Sequence, residues 1–268
     1  VKKLLAVLLL LSCASSAGAA EFNAETREFA SRNNAFRLKV GYSGTNGGGR
    51  AKLELRDSEG KRLSVFEAGS APFSVTVSDN GERLFLFCGS WGQTVQLSSL
   101  NVYKGSGAFL ASHRLNMLGA AGEAFSGNGS VYALGADHGS SWTILVLNTE
   151  SGKTRWSRKF RERLVGLKLS GSGERLLAVF TPAEGRHRAA IFDKSGKEIW
   201  TRAVNTKNDL SPAVFSQDGN KFELWEKGAV YREEDENWHA TLLKKHFYRF
   251  TPKGVRETGV KELNEEFK

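Results

Sequence analysis

One short turn, repeated four times at even spacing, limits what this chain can fold into more than any other feature. The copies are Val77-Ser78-Asp79-Asn80-Gly81, Phe125-Ser126-Gly127-Asn128-Gly129, Leu169-Ser170-Gly171-Ser172-Gly173 and Phe215-Ser216-Gln217-Asp218-Gly219. Their serines lie 48, 44 and 46 residues apart. Tyr42-Ser43-Gly44 reads as a degenerate earlier copy. A second anchor follows each: Asp57 to Lys61 (DSEGK), Asn148 to Lys153 (NTESGK), Asp193 to Lys197 (DKSGK), and more loosely Asn101 to Gly107 and Thr251 to Gly254. Both anchors are hairpin turns, because Asp and Asn side chains bond their own following backbone and Gly supplies the positive φ of a tight turn. SDNGE and SQDGN lack the alternating oxygen ligands of a calcium loop, and no phosphate-loop Lys-Ser/Thr follows them.

Leu167 to Trp200 shows the whole unit: a strand ending at Ser170, a Gly-centred turn, a strand from Arg175 to Phe180, a loop, a strand ending at Asp193, a KSGK turn and a strand carrying Trp200. Between anchors, Leu84 to Cys88, Val131 to Leu134 and Leu176 to Phe180 are nearly continuous apolar runs, the mark of strands buried on both faces. A lone sheet cannot cover two apolar faces, but sheets stacked radially around an axis can. With a period of about 45 residues and no apolar spacing of 3.6, the prediction is all-β: a β-propeller of four-stranded antiparallel blades, with five as the best count. An incomplete propeller and a two-sheet β-sandwich are the alternatives. The 29 glycines and four prolines suit short strands and tight turns better than a helical bundle.

The first unit shows three candidate strands (Phe36 to Tyr42, Arg50 to Asp57, Lys61 to Phe66), and fuller units start near Phe73, Glu123, Leu164 and Pro212. An insert at about 227–245 stretches the last one. Val255 to Leu263 is expected to pair with the first unit and close the ring, which would protect the sheet edges.

The SxDG-like turns, each followed by an apolar strand, resemble bacterial WD40-like repeats. NTESGKTRW and DKSGKEIW are similar to strand ends of pyrroloquinoline-quinone-type repeats. The resemblance covers roughly residues 36 to 258 and implies blades, with Trp156 and Trp200 as blade-packing residues. It carries over no cofactor, because the quinone enzymes have more blades and cofactor ligands that this sequence does not match.

The N-terminus reads as a targeting segment, with basic Lys2 and Lys3, apolar Leu4 to Leu11 and small residues from Ser12 to Ala20. Residues 1–20 are therefore expected to be a signal peptide, with cleavage leaving Ala20 or Glu21 first. Residues 21–35 would be a polar arm, and 36–268 one propeller domain. The rival is a lipoprotein, since Leu10-Leu11-Ser12-Cys13 resembles a lipobox, and membrane contact is expected only if Cys13 is acylated. Either way the protein is read as exported, periplasmic or extracellular. Cys88, inside RLFLFCG, is expected to pack as a small hydrophobe.

The chain is basic, with a formal net charge of +9. After export, proteins and anionic envelope polymers are the expected partners, and nucleic acid is not. Lys153 to Lys168 is cationic with interleaved aromatics, and strand alternation places those charges on blade rims. No triad or zinc-helix motif occurs, so three function classes follow: a noncatalytic monomeric binding or scaffold propeller, a binder of carbohydrate or anionic polymer, and a quinone- or metal-dependent enzyme. The noncatalytic class leads, with neither cofactor nor metal.

In a propeller both kinds of anchor turn share one face, so the loops between second and third strands share the other. Those loops carry Trp91, Asp137, His138, Arg186, His187, Trp238 and His239, the candidate binding residues. Three of the five histidines fall in equivalent loops, an arrangement that would suit a binding site and could hold a metal.

Overall fold

The computed structural model describes residues 26–42, 49–90, 96–181, 186–206, 208–216, 218–232 and 237–266. They form five four-stranded antiparallel sheets, each in simple meander order. Blade 1 holds β1 (Thr26–Ala30), β2 (Phe36–Tyr42), β3 (Ala51–Asp57) and β4 (Arg62–Ala68). Blade 2 holds β5 (Pro72–Val77), β6 (Arg83–Ser90), β7 (Gln96–Lys104) and β8 (Phe109–Met117). Blade 3 holds β9 (Gly119–Phe125), β10 (Val131–Asp137), β11 (Trp142–Asn148) and β12 (Thr154–Phe160). Blade 4 holds β13 (Arg163–Leu169), β14 (Arg175–Thr181), β15 (His187–Asp193) and β16 (Glu198–Val204). Blade 5 holds β17 (Asp209–Phe215), β18 (Lys221–Arg232), β19 (Asn237–Thr251) and β20 (Gly254–Glu266). The fold is a five-bladed β-propeller.

The recurring serine has a physical role in each turn. Its hydroxyl accepts the N–H five residues on and, in most copies, donates to the side chain two residues on. Ser78 Oγ takes the Arg83 N–H at 2.9 Å and donates to Asn80 Oδ1 at 2.8 Å. Ser126 does the same with Val131 and Asn128. Ser-x-Asp/Asn-Gly is thus a hydrogen-bonded clasp across the hairpin mouth. Blade 1 has the same clasp at Ser31, which takes the Phe36 N–H at 3.0 Å and donates to Asn33 Oδ1 at 2.7 Å. Asn34 stands at φ 58° where the other copies have Gly. Asn tolerates the left-handed region, so the copy survives without its glycine.

This corrects two expectations. The first blade's anchor is Ser31, and the Ser43 copy lies outside the described residues. The segment 21–35, expected as a polar arm, supplies β1, whose Phe29 packs against the core shared with blade 2. A third correction follows from the second. Because β1 completes blade 1, the strand expected at Val255 to Leu263 is not borrowed for closure; it is β20, paired to β19 as the fourth strand of blade 5.

Among the described residues the buried apolar side chains form four clusters, each between consecutive blades: 1 and 2, 2 and 3, 3 and 4, 4 and 5. In β6, Leu84, Leu86 and Cys88 face blade 1 while Phe85 and Phe87 face blade 3. β10 and β14 likewise feed two clusters, which is why these three strands read as unbroken apolar runs. Each fully buried Leu or Phe contributes about 1.5–3 kcal/mol. In β2 and β3 the pattern alternates instead: Leu38, Val40, Leu53 and Leu55 are buried toward blade 2, while Arg37, Lys39 and Lys52 are exposed on the other side.

The anchor glycines add a docking rule. A Cβ on Gly254 in blade 5 would meet nothing within 4 Å, but one on Gly196 would stand 2.8 Å from the Trp156 ring, and one on Gly152 about 3.0 Å from Ala111, so in blades 3 and 4 the third-to-fourth turn presses on the outer strand of the preceding blade. Gly107 meets Phe66 in the same way. Trp156 and Trp200 are blade-packing residues: Trp156 joins the cluster of blades 3 and 4, and Trp200 meets Phe222 and Tyr248 of blade 5 edge-on at 5.4 and 5.5 Å.

Candidate functional site

The two faces of the disc differ. The clasp and SGK turns lie on one, called here the turn face, and the second-to-third-strand connections lie on the other, the loop face. The loop face was expected to gather seven residues. Trp91 lies outside the described residues. Asp137 closes β10, and its carboxylate accepts the Gly139 N–H at 2.7 Å. His138 uses both ring nitrogens, Nδ1 with the Asn116 carbonyl and Nε2 with the Thr143 hydroxyl, each at 3.0 Å. A carbonyl only accepts, so Nδ1 carries a proton. This imidazole staples blade 2 to blade 3.

Arg186 is exposed at the start of blade 4's third strand. His187 beside it is only 6% exposed and bonds the Thr181 hydroxyl through Nδ1 at 3.0 Å. Trp238 and His239 are not in a loop. They belong to β19, opposite Tyr231 and Val230. The insert expected at 227–245 is a β-ribbon in which β18 and β19 run on past the end of β17. Among the described residues no three His, Cys, Asp or Glu side chains stand close enough to hold a metal ion.

Cys88 is buried, and burial pushes its thiol pKa up, the opposite of an activated nucleophile. On the rim, Arg155, Arg158 and Lys159 of β12 are exposed, and Arg158 lies over the rings of Phe160 and Phe192 at 5.3 and 5.5 Å.

Sequence reasoning missed a polar network between blades 4 and 5. Glu226, 5% exposed, accepts hydrogen bonds from Thr206 Oγ1 at 2.8 Å and Asn208 Nδ2 at 3.2 Å, and pairs with His246 Nε2 at 2.7 Å. His246 Nδ1 faces Glu257 at 3.3 Å, and Glu257 pairs with Arg202 of blade 4 at 2.7 Å. The alternation Phe222, Leu224, Glu226 was the available signal, since it puts a charge at a core-facing position that needs partners.

Burial alone would raise the Glu226 pKa, but the bonds from His246, Thr206 and Asn208 outweigh it and hold the carboxyl below its ordinary value. A depressed folded pKa gives stability that is present above the unfolded value and lost as pH falls through the folded one. Glu226→Gln is therefore expected to cost about 1–3 kcal/mol at neutral pH and to flatten the loss of stability below about pH 4. Urea denaturation across pH checks both effects.

No protein-family model matches the sequence, and no curated protein does. Among solved structures, a chain of the mitotic checkpoint complex is 8% identical with a TM-score of 0.54, over 91% of this chain and 67% of that one. A chain from the structure of a eukaryotic initiation factor is 14% identical with a TM-score of 0.54, over 87% and 54%. The WD40 domain of Toxoplasma gondii coronin is 9% identical with a TM-score of 0.44, over 87% and 69%. These neighbours are β-propeller, WD40-type proteins. At such identities the likeness is one of fold, and this chain spans about half to two thirds of the first two.

Proposed function

We propose that this protein is a noncatalytic binding or scaffold propeller, exported by its N-terminal segment, which takes a protein partner on the loop face. The observation that carries this reading is the ribbon of blade 5. β17 stops pairing at Asp209 opposite Lys227, yet β18 and β19 continue from Gly228 opposite Thr241 to Arg232 opposite Asn237. At about 3.4 Å per residue, that extends the loop face by roughly 15 Å. Tyr231 stands opposite Trp238 on it. Trp, Tyr and Arg dominate binding energy at protein interfaces, and the sequence of this arm carries Tyr231, Arg232 and Trp238. The mitotic checkpoint complex is an assembly, and a chain of similar fold is part of it.

The exposed β12 cations favour the second reading, an anionic envelope polymer. Capture from envelope extract separates the two, using the parent protein, a variant whose residues 229–240 are replaced by an Asn-Gly turn, and a variant with Arg158, Lys159 and Arg161 neutralised. The expected result is a captured protein whose yield falls at least about tenfold only in the ribbon variant, with circular dichroism unchanged outside the lost residues. Capture that survives ribbon removal and disappears with the rim charges would overturn this reading for the polymer one.

A further inference from the structure

The turn face carries a cleft of about 720 Å³ beside the propeller axis, within the usual size range of small-molecule sites. Three inner strands and the clasp turns after them build it, and the clasp of blade 1 adds Arg32. One wall is apolar, with half-buried Phe125 and Phe215 and with Val214 still 41% exposed. The opposite chemistry comes from Lys168 and Arg32. Among the described residues neither Asp nor Glu lines the cleft. Arg32 spends one guanidinium nitrogen on Asp79 at 2.8 Å, while Lys168 makes no ion pair among the described residues. Burial and the nearby Arg32 charge hold the Lys168 amine below its ordinary pKa. The rim is tied across two blades, since the Asn128 N–H of blade 3 donates to the Gly171 carbonyl of blade 4 at 3.1 Å.

We propose that this cleft binds a small organic anion with an apolar body, its charged oxygens on Lys168 and Arg32 and its body against Phe125, Val214 and Phe215. An anion there would satisfy the unpaired ammonium and cover the exposed valine at once, which neither a bare inorganic ion nor a neutral hydrocarbon would do. The site lies on the face opposite the ribbon and does not depend on the partner reading.

Calorimetric titration of the intact protein tests this with octanoate, octyl phosphate, octanol and inorganic phosphate. One equivalent of octanoate or octyl phosphate is expected to bind at least about tenfold more tightly than octanol or inorganic phosphate, and whichever of the two binds better identifies the head group. Lys168→Met should remove that preference over octanol. Ala213→Leu, which keeps both cations but fills the cleft, should weaken both octyl anions by a similar factor, and unchanged melting temperatures would show that both variants fold. Octanol binding as well as octanoate, inorganic phosphate binding as well as octyl phosphate, or an unaltered preference in Lys168→Met would each overturn the assignment.

Discussion

Trp200→Ala is expected to cost about 3 kcal/mol, the low end of the range for removing a core aromatic because the indole is only half-buried. Trp200 sits on the outer strand of blade 4 and reaches blade 5, where it meets Phe222 and Tyr248 edge-on. Those two rings are stacked on each other at 4.8 Å, and both are at most 2% exposed. Removing the indole opens a cavity against an aromatic pair that cannot collapse into it without leaving Leu177 and Ile191, the blade 4 side of the same cluster. Among the described residues the packed core of blade 5 lies toward blade 4, so the loss should also loosen it selectively. Equilibrium denaturation would show a lower midpoint at unchanged slope, and hydrogen exchange would show early opening of β17 to β20. A cost under about 1 kcal/mol would mean that Trp200 does not dock the blades.

The architecture was legible because its physics is local and repeats. The clasp needs a serine, an acceptor two residues on and a residue that tolerates positive φ, all within one short string. The apolar runs of β6, β10 and β14 announced strands covered on both faces. The Ser31 copy is harder to see in the sequence because one letter differs: Asn34 stands where the others have glycine, which hides the turn that makes β1 a strand. With β1 hidden, blade 1 looks one strand short and β20 looks free to close the ring.

The candidate site was less legible, because a histidine in a loop says nothing of what its ring nitrogens already bond. His138 bonds Asn116 and Thr143, and His187 bonds Thr181 through Nδ1. The ribbon was visible only as an insert, because strand pairing across residues 228–241 depends on register and not on composition. Lys168 and Arg32 are 136 residues apart in sequence, and only the closing of blades around an axis brings them to one cleft.

Gly107, Gly152 and Gly196, the turn glycines of blades 2 to 4, serve two purposes, positive φ in their own blade and close contact with the preceding one. Gly60 and Gly196 separate these purposes. They occupy the same turn in blades 1 and 4, at φ of 82° and 83°. A Cβ on Gly60 would meet nothing within 4 Å, whereas one on Gly196 would press on the fused part of the Trp156 indole at 2.8 Å. Both substitutions to alanine share a backbone strain of about 1–2 kcal/mol. Only Gly196→Ala adds overpacking of about 1–3 kcal/mol, because the ring it strikes is wedged against Phe192 and cannot swing aside. Urea denaturation of the two variants beside the parent measures the difference directly. The account predicts that Gly196→Ala is the more destabilised by about 2 kcal/mol, and that Trp156→Ala added to Gly196→Ala removes most of that excess. Equal costs in the two single variants would contradict it, leaving the glycines as turn residues and the docking of blades to be explained by other contacts.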